Sequence, residues 1–132
     1  MVNDTAQWQY VDGDGKNVGK VIIDWVSDSA AGSVSQLSDK PIFGEILRIT
    51  TNPGAAAPTT LYDITIDDED SVDVALGTLL NRSATATETV YPTIVGSGGT
   101  TYVQTAIAGR ITLTIAAAGN SKNGRVTIYL RR

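Results

Sequence analysis

Cysteine and histidine are absent from the 132 residues. Their absence excludes disulfide frameworks, thiolate zinc sites, thiol nucleophiles and every imidazole acid, base or metal ligand. Apolar runs are short, and none approaches the ~20 residues that a membrane-spanning helix requires. Met1-Val2-Asn3-Asp4 lacks the basic stretch and apolar core of a secretory signal, so none is expected. Charged residues make up only 18% of the chain, and the single methionine and eight leucines are few for a helical protein. The remaining catalytic repertoire is narrow. A serine nucleophile has no histidine beside it, and neither Ser-x-x-Lys nor Gly-x-Ser-x-Gly occurs. Gly96-Ser97-Gly98-Gly99-Thr100 looks like a phosphate loop but lacks the lysine. Eleven aspartates offer no pair marked out for glycoside hydrolysis. The expectation is a protein without catalytic residues or cofactor.

What is abundant is β-branched. Valine, isoleucine and threonine together supply 41 residues, types that are stiff at χ1 and pack well on a pleated surface. Thirteen glycines and several Asn/Asp junctions interrupt them at short intervals. Period-two alternation marks strands over residues 7–11, 18–27, 42–51, 60–66, 110–116 and 125–131, with further candidates at 33–37, 85–95 and 102–107. Asp12-Gly13-Asp14-Gly15 reads as a hairpin turn, Gly44 as a bulge or bend, and Pro92 as a residue that pushes its strand to an edge or splits it. Residues 52–58, with two prolines, cannot be a central strand. About eight short strands in one domain spanning residues 1–132 predict an all-β fold. The expected form is a two-sheet β-sandwich, jelly-roll or immunoglobulin-like.

One segment changes period. Val72, Leu76, Leu79 and Leu80 recur every three to four residues behind an acidic run, which predicts one short helix near residues 72–81. The run itself (Asp67, Asp68, Glu69, Asp70 and Asp73) partly resembles a calcium loop, with Asp68, Asp70 and Asp73 as candidate ligands. The EF-hand spacing is not met, and an acidic turn capping the following helix is the favoured reading.

Charge is unevenly spread. Residues 1–73 carry 13 acidic side chains against 4 basic, and residues 74–132 carry one against six, so the halves are net −9 and +5. If the halves form separate faces, copies can pair by charge; if their strands interleave, the asymmetry is internal. A pI of about 4.6 argues against nucleic acid as a partner. Trp8, Tyr10 and Trp25 form either a sugar-stacking platform or part of the core and its interfaces, the latter preferred. Trp8, Tyr10, Trp25 and Phe43 are the candidate apolar contacts. Arg131 and Arg132 read as a solvated tail.

Two stretches carry a resemblance. The first is Glu45-Ile46-Leu47-Arg48-Ile49-Thr50-Thr51-Asn52-Pro53-Gly54, with Ala57-Pro58, Tyr62-Asp63-Ile64-Thr65-Ile66, Val72-Asp73-Val74-Ala75 and Asn81-Arg82 following it. The second is Gly109-Arg110-Ile111-Thr112-Leu113-Thr114-Ile115-Ala116, then Gly119-Asn120 and Gly124-Arg125-Val126-Thr127-Ile128-Tyr129-Leu130-Arg131. Together, over about the last two-thirds of the chain, they resemble small β-sandwich virion proteins of tailed bacteriophages. The resemblance is one of turns and strands and carries no functional residues across. It implies a structural protein that decorates or cements the capsid from outside, bound to the major capsid protein as a dimer or trimer. Loops at residues 27–40 and 52–58 are then the expected contacts. A tail or head–tail connector component, a carbohydrate- or receptor-binding module and a calcium-dependent adhesion domain are the alternatives. Neither nucleic acid nor membrane is an expected partner.

Overall fold

The alternation of β-branched residues produces eleven strands in a computed structural model that describes residues 3–12 and 17–132. They are β1 (Thr5–Val11), β2 (Val18–Val26), β3 (Val34–Leu37), β4 (Ile42–Pro53), β5 (Asp63–Asp67), β6 (Glu88–Val90), β7 (Thr93–Val95), β8 (Tyr102–Gln104), β9 (Ala106–Gly109), β10 (Thr112–Ala116) and β11 (Asn123–Arg131). Six form one sheet in the order β1-β2-β11-β4-β6, with β9 also on β4; β3-β10-β5 form a second; β7-β8 form a third. Every pairing is antiparallel. Most of the residue 12–15 turn lies outside the described residues, but β1 and β2 flank it in register from Val11 opposite Lys20.

The inward residues match the alternation. Val21, Ile23 and Trp25 of β2 and Val126, Ile128 and Leu130 of β11 join Ile64 and Ile66 of β5 and Leu113 and Ile115 of β10 in one buried apolar cluster. Burial of these side chains, at about 1.5–3 kcal/mol each, is the main force holding the two larger sheets together. Trp25 lies 5.8 Å from Tyr62 between ring centroids, and its indole passes over Gly124. A Cβ on Gly124 would come within 2.7 Å of the indole Cζ2, so β11 has no side chain where β2 places its largest one.

Two local expectations are corrected. The irregularity in β4 lies at Leu47, not at Gly44: the register with β11 shifts between Arg48 opposite Tyr129 and Ile46 opposite Leu130. In an unbroken strand Ile46 and Ile49 would face opposite sides; the extra residue turns both into the core, where each is fully buried. The same break divides the far edge of β4 between β6, on Ile49–Thr51, and β9, on Ile42–Glu45. β4 also runs on to Pro53, beyond the residue 51 boundary expected from the proline-containing loop.

The expected helix near residues 72–81 does not form, and no helix occurs among the described residues. Leu76 and Gly77 adopt φ of 55° and 73°, left-handed values that break a helix after one turn. Of the four residues placed on its apolar face, Leu79 is buried while Val72, Leu76 and Leu80 are exposed. The segment instead lies along the outer edge of β5. Val74 N–H donates to the Ile66 carbonyl (2.8 Å), Ile64 N–H to Leu79 (3.0 Å) and Arg82 N–H to Tyr62 (2.7 Å). A strap of this kind satisfies an edge that would otherwise be open to further strand pairing.

Candidate functional site

Asp73 holds the strap in place. Its Oδ1 accepts from Ile66 N–H (3.1 Å) and Ala75 N–H (3.0 Å), and its Oδ2 from Gly77 N–H (2.9 Å). Asp68 Oδ1 accepts from the N–H groups of Asp70 and Val72, and Glu69 accepts from Arg110 N–H. Three carboxylates of the acidic run, those of Asp68, Glu69 and Asp73, thus turn towards backbone donors. Asp68, Asp70 and Asp73 do not converge, and no group of three acidic side chains suited to a metal ion occurs among the described residues. Capping was the right chemistry for Asp73; the object capped is a strap on β5, not a helix.

The two charge halves mix. β11, from the basic half, runs between β2 and β4 of the acidic half. Arg125 therefore pairs with Asp24 (2.7 Å) and Arg131 with Glu45 (2.9 Å), and Arg132 reaches Asp12 (3.0 Å). The charge asymmetry is absorbed inside one molecule, and the two arginines read as a solvated tail are both ion-paired. All six carboxylate and guanidinium groups are half exposed or more, so each pair contributes little to stability.

Of the four candidate apolar contacts, Trp25 is corrected: at 1% exposure it is core and meets no partner. Trp8 and Tyr10 share the inward side of β1 and are partly buried against the core. The edge position of β1 keeps them from being covered fully. Lys40 Nζ lies 4.3 Å from the Tyr10 ring, and burial pushes that phenol's pKa up. The three do not make a stacking platform. Phe43 is 56% exposed and borders a groove of about 610 Å³ with Gly44, Glu45, Ala106, Ile107 and Arg131. A second open groove of about 590 Å³ mixes polar and apolar lining, and its one carboxylate, Asp24, is already held by Arg125.

The loops expected to make contacts are pinned by polar bonds. Asp28 Oδ1 accepts from Ala30 and Ala31 N–H, both at 2.7 Å, and its Oδ2 accepts from Asn3 N–H. These backbone donors, Ala31 first, lower the pKa of Asp28. Ser27 Oγ–H donates to the Gly119 carbonyl (2.6 Å), and Asn123 Oδ1 accepts from Ala56 N–H (3.2 Å). The 27–33 loop is thereby tied to the loop before β11, and the 52–58 loop to the first residue of β11.

The surface that sequence reasoning missed is the β7–β8 hairpin. All three residues of β7 and the first two of β8 are exposed, including Ile94 (51%), Val95 (52%), Tyr102 (67%) and Val103 (52%). Tyr91, just before it, is 63% exposed. Scattered apolar residues on a surface are ordinary; four on one short hairpin, with a fifth just before it, are not. A signal was present: residues 89–109 are the longest stretch of the chain without a charge.

No family model, no curated protein and no solved structure matches this chain.

Proposed function

We propose that this chain is a non-catalytic structural protein of a tailed-phage virion, binding the outside of the capsid shell as a decoration or cement protein. In this reading the two larger sheets are the faces of a β-sandwich, jelly-roll or immunoglobulin-like, serving as a rigid scaffold. The observation that carries it is the presence of two exposed apolar surfaces, the Phe43 groove and the β7–β8 hairpin, outside the buried core. A protein that coats a shell in many copies needs one surface for the shell and another for its own neighbours. The resemblance of residues 45–82 and 109–131 to such virion proteins points the same way. The major capsid protein is the proposed partner, met at the Phe43 groove. The protein is made in the bacterial cytoplasm and ends on the capsid surface. Its acidic balance limits retention on packaged DNA.

Virions purified from the encoding phage and labelled with an antibody against this chain test the proposal. Label over the heads in many copies is expected. Label on tails or at the neck moves the protein to a tail or head–tail connector role, and absence from banded particles refutes a virion role altogether. A carbohydrate- or receptor-binding role is favoured only by the exposed Tyr91 and Tyr102 rings, and a glycan array tests it.

A further inference from the structure

We infer that the β7–β8 hairpin is a self-association arm, through which two copies join at β7 about a two-fold axis. The inference stands apart from where the protein is used. A two-stranded hairpin alone is at best marginally stable in water, and this one exposes apolar side chains on both faces. Ile94 and Val103 are opposite one another on one face, and Val95 and Tyr102 on the other. Its connection to the body is through β8: Thr105 accepts from Ile46 N–H (2.8 Å), and Arg131 donates to the Gln104 side chain (3.0 Å). β7 is the outer strand.

The register fits a second copy as the occupant. Gly96 N–H donates to the Thr101 carbonyl (2.6 Å), so 96 and 101 form a hydrogen-bonded pair. Alternation along an antiparallel ladder makes 94 and 103 the next such pair, which turns the N–H and C=O groups of Thr93 and Val95 outwards. A second β7, antiparallel across a two-fold at Ile94, presents those same groups in the complementary order. Thr93 of each copy then exchanges both bonds with Val95 of the other. Ile94 meets its own equivalent in the closely spaced, non-bonded position, extending the Ile94–Val103 stripe across four strands.

Charge agrees with a second copy. Natural edges avoid such pairing with charged side chains, and residues 89–109 have none. Two molecules of net charge −4 therefore meet where neither presents a charge. Only Ile94 (51% exposed) and Val95 (52%) lie on the pairing strand, with Tyr102 and Val103 one strand behind the seam, so the contact falls short of the about 1,000 Å² expected of a stable specific interface. The dimer is accordingly concentration-dependent.

Sedimentation equilibrium of the whole chain should show mass rising with concentration from 13.9 kDa towards twice that value. Ile94→Asp should hold it at the monomer mass, with an unchanged circular dichroism spectrum because Ile94 lies outside the core. The chain has no cysteine, which makes a crosslink diagnostic. In the two-fold register Ile94→Cys brings the two Cα atoms to about 4.5 Å, within disulfide reach. Mild oxidation should then yield a covalent dimer, whereas Val103→Cys, one strand farther from the axis, should not crosslink. A monomer at every concentration overturns the inference. So does a trimer, a dimer that survives Ile94→Asp, or a dimer that Val103→Cys locks and Ile94→Cys does not.

Discussion

Replacing Asp73 with alanine separates a structural carboxylate from a metal ligand. The substitution removes the acceptor for three backbone N–H groups, those of Ile66, Ala75 and Gly77. At a net value of about 1 kcal/mol per bond, with part of the loss recovered by water, the cost is about 2–3 kcal/mol. For a chain of 132 residues, each kcal/mol moves Tm by roughly 3–5 °C, so Tm should fall by about 6–15 °C. Asp70 is the control. Its side chain is exposed and accepts no hydrogen bond among the described residues, and Asp70→Ala should stay within about 0.5 kcal/mol of the parent. Thermal unfolding followed by circular dichroism, with calcium and then with a chelator, reads both variants. The same drop for Asp73→Ala in both buffers, with the parent indifferent to chelation, is the expected outcome. The reasoning is refuted if Asp73→Ala is as stable as the parent. It is equally refuted if calcium stabilises the parent and both variants abolish that gain.

Two further outcomes test the core. Gly124→Ala places a methyl 2.7 Å from Trp25 Cζ2 and 2.9 Å from the Asn52 carbonyl, and should cost about 1–3 kcal/mol in urea unfolding; an unchanged midpoint would mean that the indole does not lie over β11. Burial, reinforced by Glu88, pushes the Tyr62 phenol up to about 12, above its ordinary value of 10.0. Because the folded state holds that proton more tightly, the associated stability is complete below about pH 10 and is lost as pH rises through about 12. An absorbance titration should show Tyr62 as the last of the five tyrosines to ionise, behind Tyr10, which burial also raises, with that last step absent in Tyr62→Phe; five tyrosines titrating together would contradict the burial.

The sequence by itself determined the all-β class, the inward residues of β2, β5, β10 and β11, and the breaks at Pro92 and at the loop before β11. These are local properties: a side-chain period of two and a handful of turn residues specify them without reference to the rest of the chain. The helix read over residues 72–81 shows where local reasoning stops. A spacing of three to four residues is shared by a helix and by successive turns, and only pairing with the edge of β5 selects the turns. The charge halves make the same point, since their mixing depends on β11 entering between β2 and β4, contacts across some eighty to a hundred residues. Of the four aromatic contact candidates, none could be sorted by type. Trp25 is core because β2 is central, Trp8 and Tyr10 are half covered because β1 is an edge, and Phe43 is outside because of its strand's facing. The hairpin was legible only as an uncharged run; that it stands outside the core was decided by tertiary structure. Alternation says which residues share a side, and only the order of strands in the sheet says what that side faces.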